Sequence, residues 1–344
     1  MTDSRTNIFG VAPEALARWL EEQGEKPFRL KQILDWTFTR RARSFDEMSN
    51  LSKNLRELLK EAFALGEASV AERKVSQDGR TVKYLFELAD AAHVESVFMP
   101  ERNRTSLCLS SQTGCAMGCR FCATGTGGAG RNLRGAEIVE QAWRMACEEG
   151  EFTHVVFMGM GEPLRNVSAV SFALQALNDD RRFGIGARRM TLSTCGIVSG
   201  IHELARAPVQ PHLAISLNSP FEEERLRLMP GTKKHPLARM LEAAEDYVKA
   251  TGRHLTFEYV LLAGVNDTRP HARALAELAR AMKARVNLIP FNPVAGSEFQ
   301  PPSPEQAMRF KQWLETSKAA VSIRFRRGGD IGAGCGQLRG AGGR

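Results

Sequence analysis

The chain has 344 residues, of which 43% are hydrophobic and 25% charged, and its formal net charge is +8. This is the balance of a soluble globular protein, so the composition excludes a largely disordered chain, and the length allows one large core with an accessory module or two ordinary domains. No apolar run approaches the roughly 20 residues that a membrane-spanning helix needs, and residues 1–10 lack the basic and apolar runs of a signal peptide, so we expect a cytoplasmic protein with no membrane segment.

The first part of the chain is predicted to be helical. Apolar residues recur at helical spacing in Pro13 to Gln23, in Leu30 to Thr39 and in Leu51 to Phe63. We interpret residues 1–70 as a small helical accessory domain.

Residues 71–100 are predicted to form a small hairpin that leads into the core. The strand candidates are Thr81 to Leu88 and His93 to Met99, in a segment that alternates apolar and polar side chains. Before them, Gln77-Asp78-Gly79 is a turn signal, because glycine adopts the positive φ angles of tight turns at little cost.

Residues 101–327 alternate short apolar runs with longer helical patterns. The strand candidates are Leu107 to Ser110, His154 to Met158, Arg189 to Thr194, Leu213 to Leu217, Leu255 to Leu262, Val286 to Phe291 and Val321 to Phe325. The helix candidates are Gly135 to Glu149, Val167 to Leu177, Pro236 to Ala250, Pro270 to Ala284 and Pro304 to Thr316. This alternation is typical of parallel βα units, so we predict an α/β fold built as a complete or partial (β/α) barrel, with its active site at the C-terminal ends of the strands. The glycine-rich tail, residues 328–344, is predicted to be mobile because it has few side chains to bury.

Basic residues cluster at four places in the chain. The clusters are Arg40, Arg41 and Arg43; Arg181 and Arg182; Arg188 and Arg189; and Arg324, Arg326 and Arg327. Such residues favour a polyanionic partner through phosphate contacts and counterion release. A solvated basic face without a partner gives the same pattern, so charge alone leaves both interpretations open.

Three of the seven cysteines lie close together, with the spacing C-x3-C-x2-C. Cys115, Cys119 and Cys122 follow a predicted strand directly, and such a grouping suits a metal site in a reducing compartment better than a disulfide framework. Thiolates are soft ligands for iron-sulfur clusters or zinc, and three of them would leave one iron of a cubane cluster open to a substrate. A zinc site completed by Cys108 or a histidine is the alternative, because structural zinc is usually four-coordinate.

This spacing, with the aromatic Phe121 directly before Cys122, resembles the signature of the radical S-adenosylmethionine superfamily. The resemblance implies a 4Fe-4S cluster held by Cys115, Cys119 and Cys122. It also implies that S-adenosylmethionine chelates the open iron and that reduction of the cluster releases a 5'-deoxyadenosyl radical.

Glycines and short polar residues follow several predicted strands. Gly159-Met-Gly-Glu-Pro163 comes directly after one strand and resembles the glycine-rich methionine-binding motif of the superfamily, with Gly161 and Glu162 as contacts. Taken alone, a stretch rich in glycine and proline is more often a turn. Later strand ends carry further candidates for cofactor binding, which are Ser193, Ser216, Leu217, Asn218 and Asn292. Each of these polar residues could also be a helix cap or a turn residue.

Longer stretches of the chain resemble the ribosomal RNA adenine C2-methyltransferase family. They are Thr105 to Cys115, Phe121 to Gly125, Arg131 to Leu133, Phe157 to Pro163, Asn287 to Asn292 and Cys335 to Leu338. The resemblance implies methylation of C2 of an adenine in 23S ribosomal RNA, with transfer RNA as a further candidate substrate. It also implies an accessory domain that helps to engage RNA and a reductase or flavodoxin that supplies electrons. We expect a monomer.

The same resemblance assigns roles to three residues outside the cluster motif. Cys335 would be S-methylated by one S-adenosylmethionine, and the radical from a second would activate that methyl group, because an aromatic carbon is too weakly nucleophilic for ordinary methyl transfer. Glu95 would accept a proton from the adduct, and Cys108 would release the product by forming a transient disulfide with Cys335. Cys147 and Cys195 match no motif and are interpreted as core residues.

The chain departs from the family pattern at Gly332 and Gly334, where an acidic residue and an alanine are more usual, and at Asn218, where histidine is more usual. Two other functions stay open: methylation of adenine C8, as in a sister group that confers antibiotic resistance, and a non-catalytic, zinc-stabilised RNA-binding protein. We favour C2 because those enzymes are the commoner group and Ile289-Pro-Phe-Asn292 looks more like theirs.

Overall fold

The structure, a computed structural model, describes residues 5–324 and 328–340. The end of the last predicted strand, Phe325, lies outside these ranges, as do Arg326 and Arg327 of the last basic cluster and residues 341–344 of the tail. Within the described ranges, every helix is too short or too polar to cross a membrane.

The N-terminal domain packs three helices against a short two-stranded parallel sheet. Its elements are β1 (Thr6–Asn7), α1 (Pro13–Glu22), α2 (Phe28–Leu34), α3 (Lys53–Ala62) and β2 (Phe63–Ala64), and α2 continues into a π-helical turn over Asp35–Thr39. The helices form where apolar residues recur on one face, and Ser52 caps α3 by accepting a hydrogen bond from the N–H of Leu55 at 3.1 Å.

The core is a single ten-stranded sheet with helices between its parallel strands. The strands are β3 (Ser69–Val75), β4 (Val82–Glu87), β5 (His93–Glu101), β6 (Arg104–Cys108), β7 (His154–Phe157), β8 (Met190–Thr194), β9 (His212–Ser216), β10 (Leu255–Leu261), β11 (Arg285–Pro290) and β12 (Ala320–Ile323). The helices are α4 (Ala123–Thr126), α5 (Gly135–Glu149), α6 (Val167–Asn178), α7 (Val198–Ala205), α8 (Glu222–Leu228), α9 (Leu237–Thr251), α10 (Arg269–Ala281) and α11 (Pro304–Thr316). Strands β6 to β12 are parallel, whereas β3, β4 and β5 are antiparallel to their neighbours.

The parallel strands and their helices confirm the predicted α/β fold. The strand order runs from β12 to β3 in sequence, so in the described residues the sheet stays open and forms a partial barrel. The segment predicted as a hairpin continues the same sheet, because β5 pairs with β6 through Val97 and Cys108. The short helices α7 and α8 escaped prediction, since seven or eight residues give too few turns for a clear apolar period.

The parallel strands place the predicted motifs at one edge of the sheet. The cysteine loop follows β6 and the Gly159 to Pro163 motif follows β7, while Thr194 and Ser216 end β8 and β9. Because parallel strands all point the same way, these four chain segments meet at the C-terminal edge.

The glycine-rich tail is packed against the core over residues 328–340, so the prediction that it is mobile is wrong for this part. Several hydrogen bonds join it to the core, among them Ala123 N–H to Gly336 O (2.7 Å), Asn292 Nδ2 to Cys335 O (3.0 Å) and Arg339 N–H to the Glu95 carboxylate (2.8 Å). Leu338 buries its side chain among the core residues. Backbone hydrogen bonds and one apolar anchor therefore replace the contacts that side chains usually supply.

Two of the four basic clusters join the accessory domain to the core. Arg43 pairs with Glu148 at 2.7 Å, Arg181 pairs with Glu14 at 2.9 Å, and Arg41 and Arg182 donate to the carbonyl oxygens of Ala146 and Val11. These arginines are engaged within the molecule, so the polyanion interpretation has to depend on the other basic residues.

Candidate active site

A cavity of about 890 Å³ opens at the C-terminal edge of the parallel strands. Most of the residues that the sequence singled out line this cavity. Those in the lining are Cys115, Cys119, Cys122, Gly161, Glu162, Ser193, Ser216, Asn218 and Cys335. Leu217 was also predicted, but it is fully buried in the core. The Leu217 side chain therefore does not line the cavity, although those of Ser216 and Asn218 on either side of it do.

The cysteine loop is wound tightly by its own backbone. The N–H of Cys115 donates to Gly128 O at 2.9 Å, and the N–H of Cys122 donates to Cys119 O at 3.1 Å. Glycine is required at two positions, because a Cβ on Gly125 would lie 2.8 Å from the Cys119 backbone and one on Gly114 would lie 2.7 Å from Gly128 O. The close turns bring three thiols from eight residues of chain into one cavity.

The arrangement of these thiols suits an iron-sulfur cluster better than zinc. Within residues 5–324 and 328–340, no three His, Cys, Asp or Glu side chains converge on a point that could hold a single metal ion. A zinc site needs four ligands around one ion, whereas a cubane cluster binds each thiolate through a separate iron. The fourth zinc ligand was predicted to be Cys108 or a histidine, and Cys108 lines a different cavity. The residues present therefore fit a 4Fe-4S cluster with one open iron.

Glu162 is a buried carboxylate held rigidly at the junction of β7 and β8. Its Oε1 accepts hydrogen bonds from Leu164 N–H at 2.9 Å and Thr194 Oγ1 at 2.7 Å, and its Oε2 accepts one from Cys195 N–H at 2.7 Å. Burial raises the pKa of this carboxyl above its usual value. A carboxylate fixed in this way can accept a further hydrogen bond from a cationic ligand group, which suits the ammonium of S-adenosylmethionine.

Two serines and an asparagine at the ends of neighbouring strands line the cavity together with Glu162. Ser193 Oγ and Ser216 Oγ lie 3.3 Å apart. Asn218 adopts a positive φ of 57°, and its Oδ1 accepts a hydrogen bond from Val260 N–H at 2.9 Å. The serine hydroxyls can rotate toward a ligand, whereas the Asn218 side chain already braces the adjacent strand.

Two lining residues were missed by the sequence analysis. Cys195, interpreted there as a core residue, follows Ser193 and Thr194 into the cavity, and its Sγ lies 3.9 Å from Cys119 Sγ. Glu258 is a lone acid in the apolar strand β10; it accepts a hydrogen bond from Asn287 Nδ2 at 2.6 Å, and burial raises its pKa. Glu258 could have been predicted as a site residue, because an acidic residue inside an apolar strand is unusual. Cys195 could not, because only the tertiary structure brings it close to the cysteines of the loop.

A second, smaller cavity of about 530 Å³ lies beside the first and contains Cys108 and Cys335. Cys335 lines both cavities. Burial, with Cys335 nearby, raises the pKa of the Cys108 thiol to about 12. Asn292 lines the second cavity, and its buried Oδ1 has no hydrogen-bond partner among the described residues, so the site has room for a ligand donor.

Glu95 lies outside both linings, at the base of the docked tail. Its Oε1 pairs with Lys83 Nζ at 2.8 Å, and both side chains are about nine-tenths buried, with 8% and 11% of their surfaces exposed. Its Oε2 accepts the hydrogen bond from Arg339 N–H at 2.8 Å. Both carboxylate oxygens are thus occupied, and the contact with Arg339 ties Glu95 to the segment that carries Cys335.

Replacing Lys83 by methionine is expected to destabilise the protein by about 3 kcal/mol, because Glu95 would be left as a buried charge with no opposite charge beside it and only the Arg339 N–H as a partner. Adding Glu95→Gln to that variant is expected to restore most of the loss, since the remaining amide is neutral. Lys74→Met, on the exposed neighbouring strand β3, serves as the control and should change stability by less than about 0.5 kcal/mol. Thermal unfolding of the four proteins measures these differences, and equal stability of Lys83→Met and Lys74→Met would contradict the burial argument.

Two family models match the sequence. The Radical SAM superfamily model matches residues 109–276, and the model of the ribosomal RNA large subunit methyltransferase N-terminal domain matches residues 6–65. The first range contains the cysteine loop and the Glu162 motif, and the second coincides with the helical accessory domain.

Several relatives match nearly the whole chain. A protein of Rhodopirellula baltica named "probable dual-specificity RNA methyltransferase RlmN" is 46% identical, over 97% of this chain and 91% of its own. The dual-specificity RNA methyltransferase RlmN of Dichelobacter nodosus is 43% identical, over 98% of this chain and 94% of its own. The crystal structure of a radical SAM methyltransferase from Sphaerobacter thermophilus superposes with a TM-score of 0.93 at 40% identity, covering 97% of this chain and 99% of that one.

Proposed function

The chain belongs to the RlmN family of radical S-adenosylmethionine RNA methyltransferases, and from this premise we propose that it methylates C2 of an adenine in 23S ribosomal RNA, with transfer RNA as a second substrate. The observation that carries the proposal is the position of Cys335. It lines the cavity of the cluster cysteines and also the smaller cavity that contains Cys108. A thiol in that position can hold a methyl group between the radical source and a second thiol.

Residues of this chain fit the cofactors that the proposal needs. Cys115, Cys119 and Cys122 would hold a 4Fe-4S cluster, and the polar lining would hold S-adenosylmethionine, through Gly161, Glu162, Ser193, Ser216, Asn218 and Asn292. When both are bound, the reduced cluster would supply the electron that cleaves S-adenosylmethionine, and the resulting 5'-deoxyadenosyl radical can remove a hydrogen atom from an unreactive methyl group. The protein residues bind and orient the reactants around it.

The chemistry on the protein side then needs three groups in sequence. Cys335 carries the methyl carbon that becomes bonded to the RNA base. The family resemblance assigns the removal of the proton from that base to Glu95. For this role its carboxylate would have to release the N–H of Arg339, while the ion pair with Lys83 holds its other oxygen. The adduct with the base carries an odd electron, which the oxidised cluster would take back. Cys108, as a thiolate, finally bonds to the Cys335 sulfur and breaks the bond between that sulfur and the methyl carbon; the electron pair goes to the product, whose carbon takes up a proton to complete the methyl group. The shared cavity of Cys108 and Cys335 supports this exchange.

Three further parts of the proposal concern the compartment, the electron donor and the oligomeric state of the enzyme. Its thiol chemistry needs a reducing compartment, which supports the cytoplasm. The cluster needs a one-electron donor, for which we propose a flavodoxin or a related reductase. We also propose that the active unit is a monomer.

Mass spectrometry of nucleosides from ribosomal and transfer RNA, in cells with and without the gene, tests the proposed function. We expect 2-methyladenosine to disappear when the gene is removed and to return when the wild-type gene, but not a Cys335→Ala copy, is restored. The names of the relatives favour C2 over the C8 chemistry of the sister group. Loss of 8-methyladenosine instead would assign the protein to that group, and no change in either nucleoside would refute both.

A further inference from the structure

Exposed and half-exposed cations line the edge of the sheet opposite to the active site. They lie at or just before the first residues of β8, β10, β11 and β12, and we call them the basic edge: Arg188, Arg189, Arg253, Arg280, Lys283, Arg285 and Lys318. Strands β8 to β12 are adjacent and parallel, so their N-terminal ends form one continuous margin. Arg285, for example, pairs in register with Thr256 of β10 on one side and Ala320 of β12 on the other.

We propose that the basic edge binds the phosphate backbone of the RNA substrate, as a second contact far from the reacting base. This inference depends on the proposed function, since it assumes that the substrate is RNA.

Several cations on the outer helices of the core are balanced by carboxylates, whereas those of the basic edge are not. The outer helices contain the pairs Arg239–Glu242, Lys249–Glu245, Arg273–Glu277 and Lys311–Glu315, each at 2.8 to 3.1 Å. Across residues 5–324 and 328–340, no residue of the basic edge has a carboxylate within 4 Å, and the buried Nε of Arg253 has no hydrogen-bond partner. The basic edge is therefore a region of concentrated positive charge, which a bound anion would stabilise.

A groove of about 840 Å³ runs along this edge between the starts of β10, β11 and β12. Four of its lining residues are the cations Arg280, Lys283, Arg285 and Lys318, and none is acidic. Next to it, the rings of His212 and His254 lie 5.0 Å apart. Burial, together with the positive charges of His254 and Arg253, lowers the pKa of His212, as expected in a positive potential.

Two of the lysines occupy a backbone conformation that normally requires glycine. Lys283 follows α10 with φ 52°, and Lys318 follows α11 with φ 60°. At the corresponding position after α9 the chain has Gly252, with φ 64°. A residue with a side chain costs about 1 kcal/mol more than glycine in this conformation, so the repeated use of lysine suggests that the side chain has a role.

The length of the basic edge suits a polynucleotide better than a small anion. Neighbouring strands are about 4.8 Å apart, so the five strands from β8 to β12 spread these cations over roughly 20 Å. One inorganic phosphate would contact only part of that length. These strands have four to seven residues and are therefore roughly 13 to 23 Å long, so the basic edge contributes to holding a long RNA and not to the chemistry in the cavity.

The left-handed conformation of both lysines allows a variant that removes charge without strain. In Lys283→Gly/Lys318→Gly, the net charge falls by two, and the thermal midpoint should stay the same or rise, because glycine is better suited to these φ angles. We expect this double variant of the holoenzyme to bind unmodified, in vitro transcribed 23S ribosomal RNA at least threefold more weakly at low salt. The slope of log Kobs against log salt should fall by about 1 to 2, since each lost phosphate contact removes about 0.7 to 0.9.

The matched control is Lys249→Gln/Arg273→Gln, which also removes two positive charges but only from cations paired within their own helices. Its affinity and salt slope should stay close to those of the wild-type protein. If the two double variants bind the transcript alike while the wild-type protein methylates it, the basic edge proposal is overturned and the proposed function survives. If the wild-type protein neither binds nor methylates the transcript, both proposals are overturned.

Discussion

Replacing Cys335 by alanine is expected to abolish RNA methylation without removing the iron-sulfur cluster. Cys335 is separated from the cluster motif by more than 200 residues and reaches the cavity only because the tail is docked through Asn292 and Ala123. The tail bonds use backbone atoms of Cys335 and Gly336, so the substitution leaves them intact and should cost no more than about 1 kcal/mol of stability. Iron and sulfide content, measured after anaerobic purification, should equal that of the wild-type protein, whereas methyl transfer to RNA should be undetectable.

The variant Cys108→Ala tests the product-release step of the same scheme. Cys108 lines the smaller cavity together with Cys335 but has no part in holding the methyl group in the proposed scheme. We expect it to leave methylation of Cys335 intact and to trap the protein covalently on the RNA, because the thiol exchange that releases the product is missing. Normal RNA methylation by Cys335→Ala would falsify the methyl-cysteine scheme.

Replacing Cys119 by serine is expected to remove the cluster, and with it all activity. A serine hydroxyl is a hard ligand that is not ionised at neutral pH, so two thiolates would have to hold the cluster without the third. The absorbance of the cluster and the iron content should fall to the level of a cluster-free protein. Folding should be retained, because the loop is held by glycines and backbone hydrogen bonds rather than by the Cys119 side chain.

The control for this experiment is Cys195→Ser. The two sulfur atoms lie 3.9 Å apart in the same cavity, so proximity alone makes Cys195 an equally good candidate ligand. The motif assigns ligation to Cys119 only. We therefore expect Cys195→Ser to retain the cluster, and the reverse result would mean that the cluster is held by a different set of thiols from the one the sequence indicates.

Much of the core could be predicted from the sequence because its signals are local. Helices α5 and α11 occupy the predicted ranges Gly135–Glu149 and Pro304–Thr316, since both present a regular apolar face over at least three turns. The strands β7 and β8 differ from their predicted ranges by one residue at one end. The short helices α7 and α8 were missed for the opposite reason, since their patterns are too brief to identify.

The candidate active site also contains some residues that the sequence predicted and others that it did not. Spacing identified the three cysteines of the loop, and their position directly after a strand predicted the edge of the sheet at which they lie. Leu217 was predicted together with its polar neighbours, and the structure buries its side chain in the core. Cys195 was missed, because nothing in the local sequence reports a sulfur contact with a residue 76 positions away.

The sequence by itself determined the order of strands and helices, the cluster loop and the family resemblance, because each depends on residues close together in the chain. Only the tertiary structure decided that the tail is docked, that two basic clusters join the domains, and that unpaired cations collect at the opposite edge of the sheet. Those features depend on which distant residues become neighbours. Composition counts charges and glycines along the chain, whereas folding determines which charges are neutralised and which backbone groups find partners.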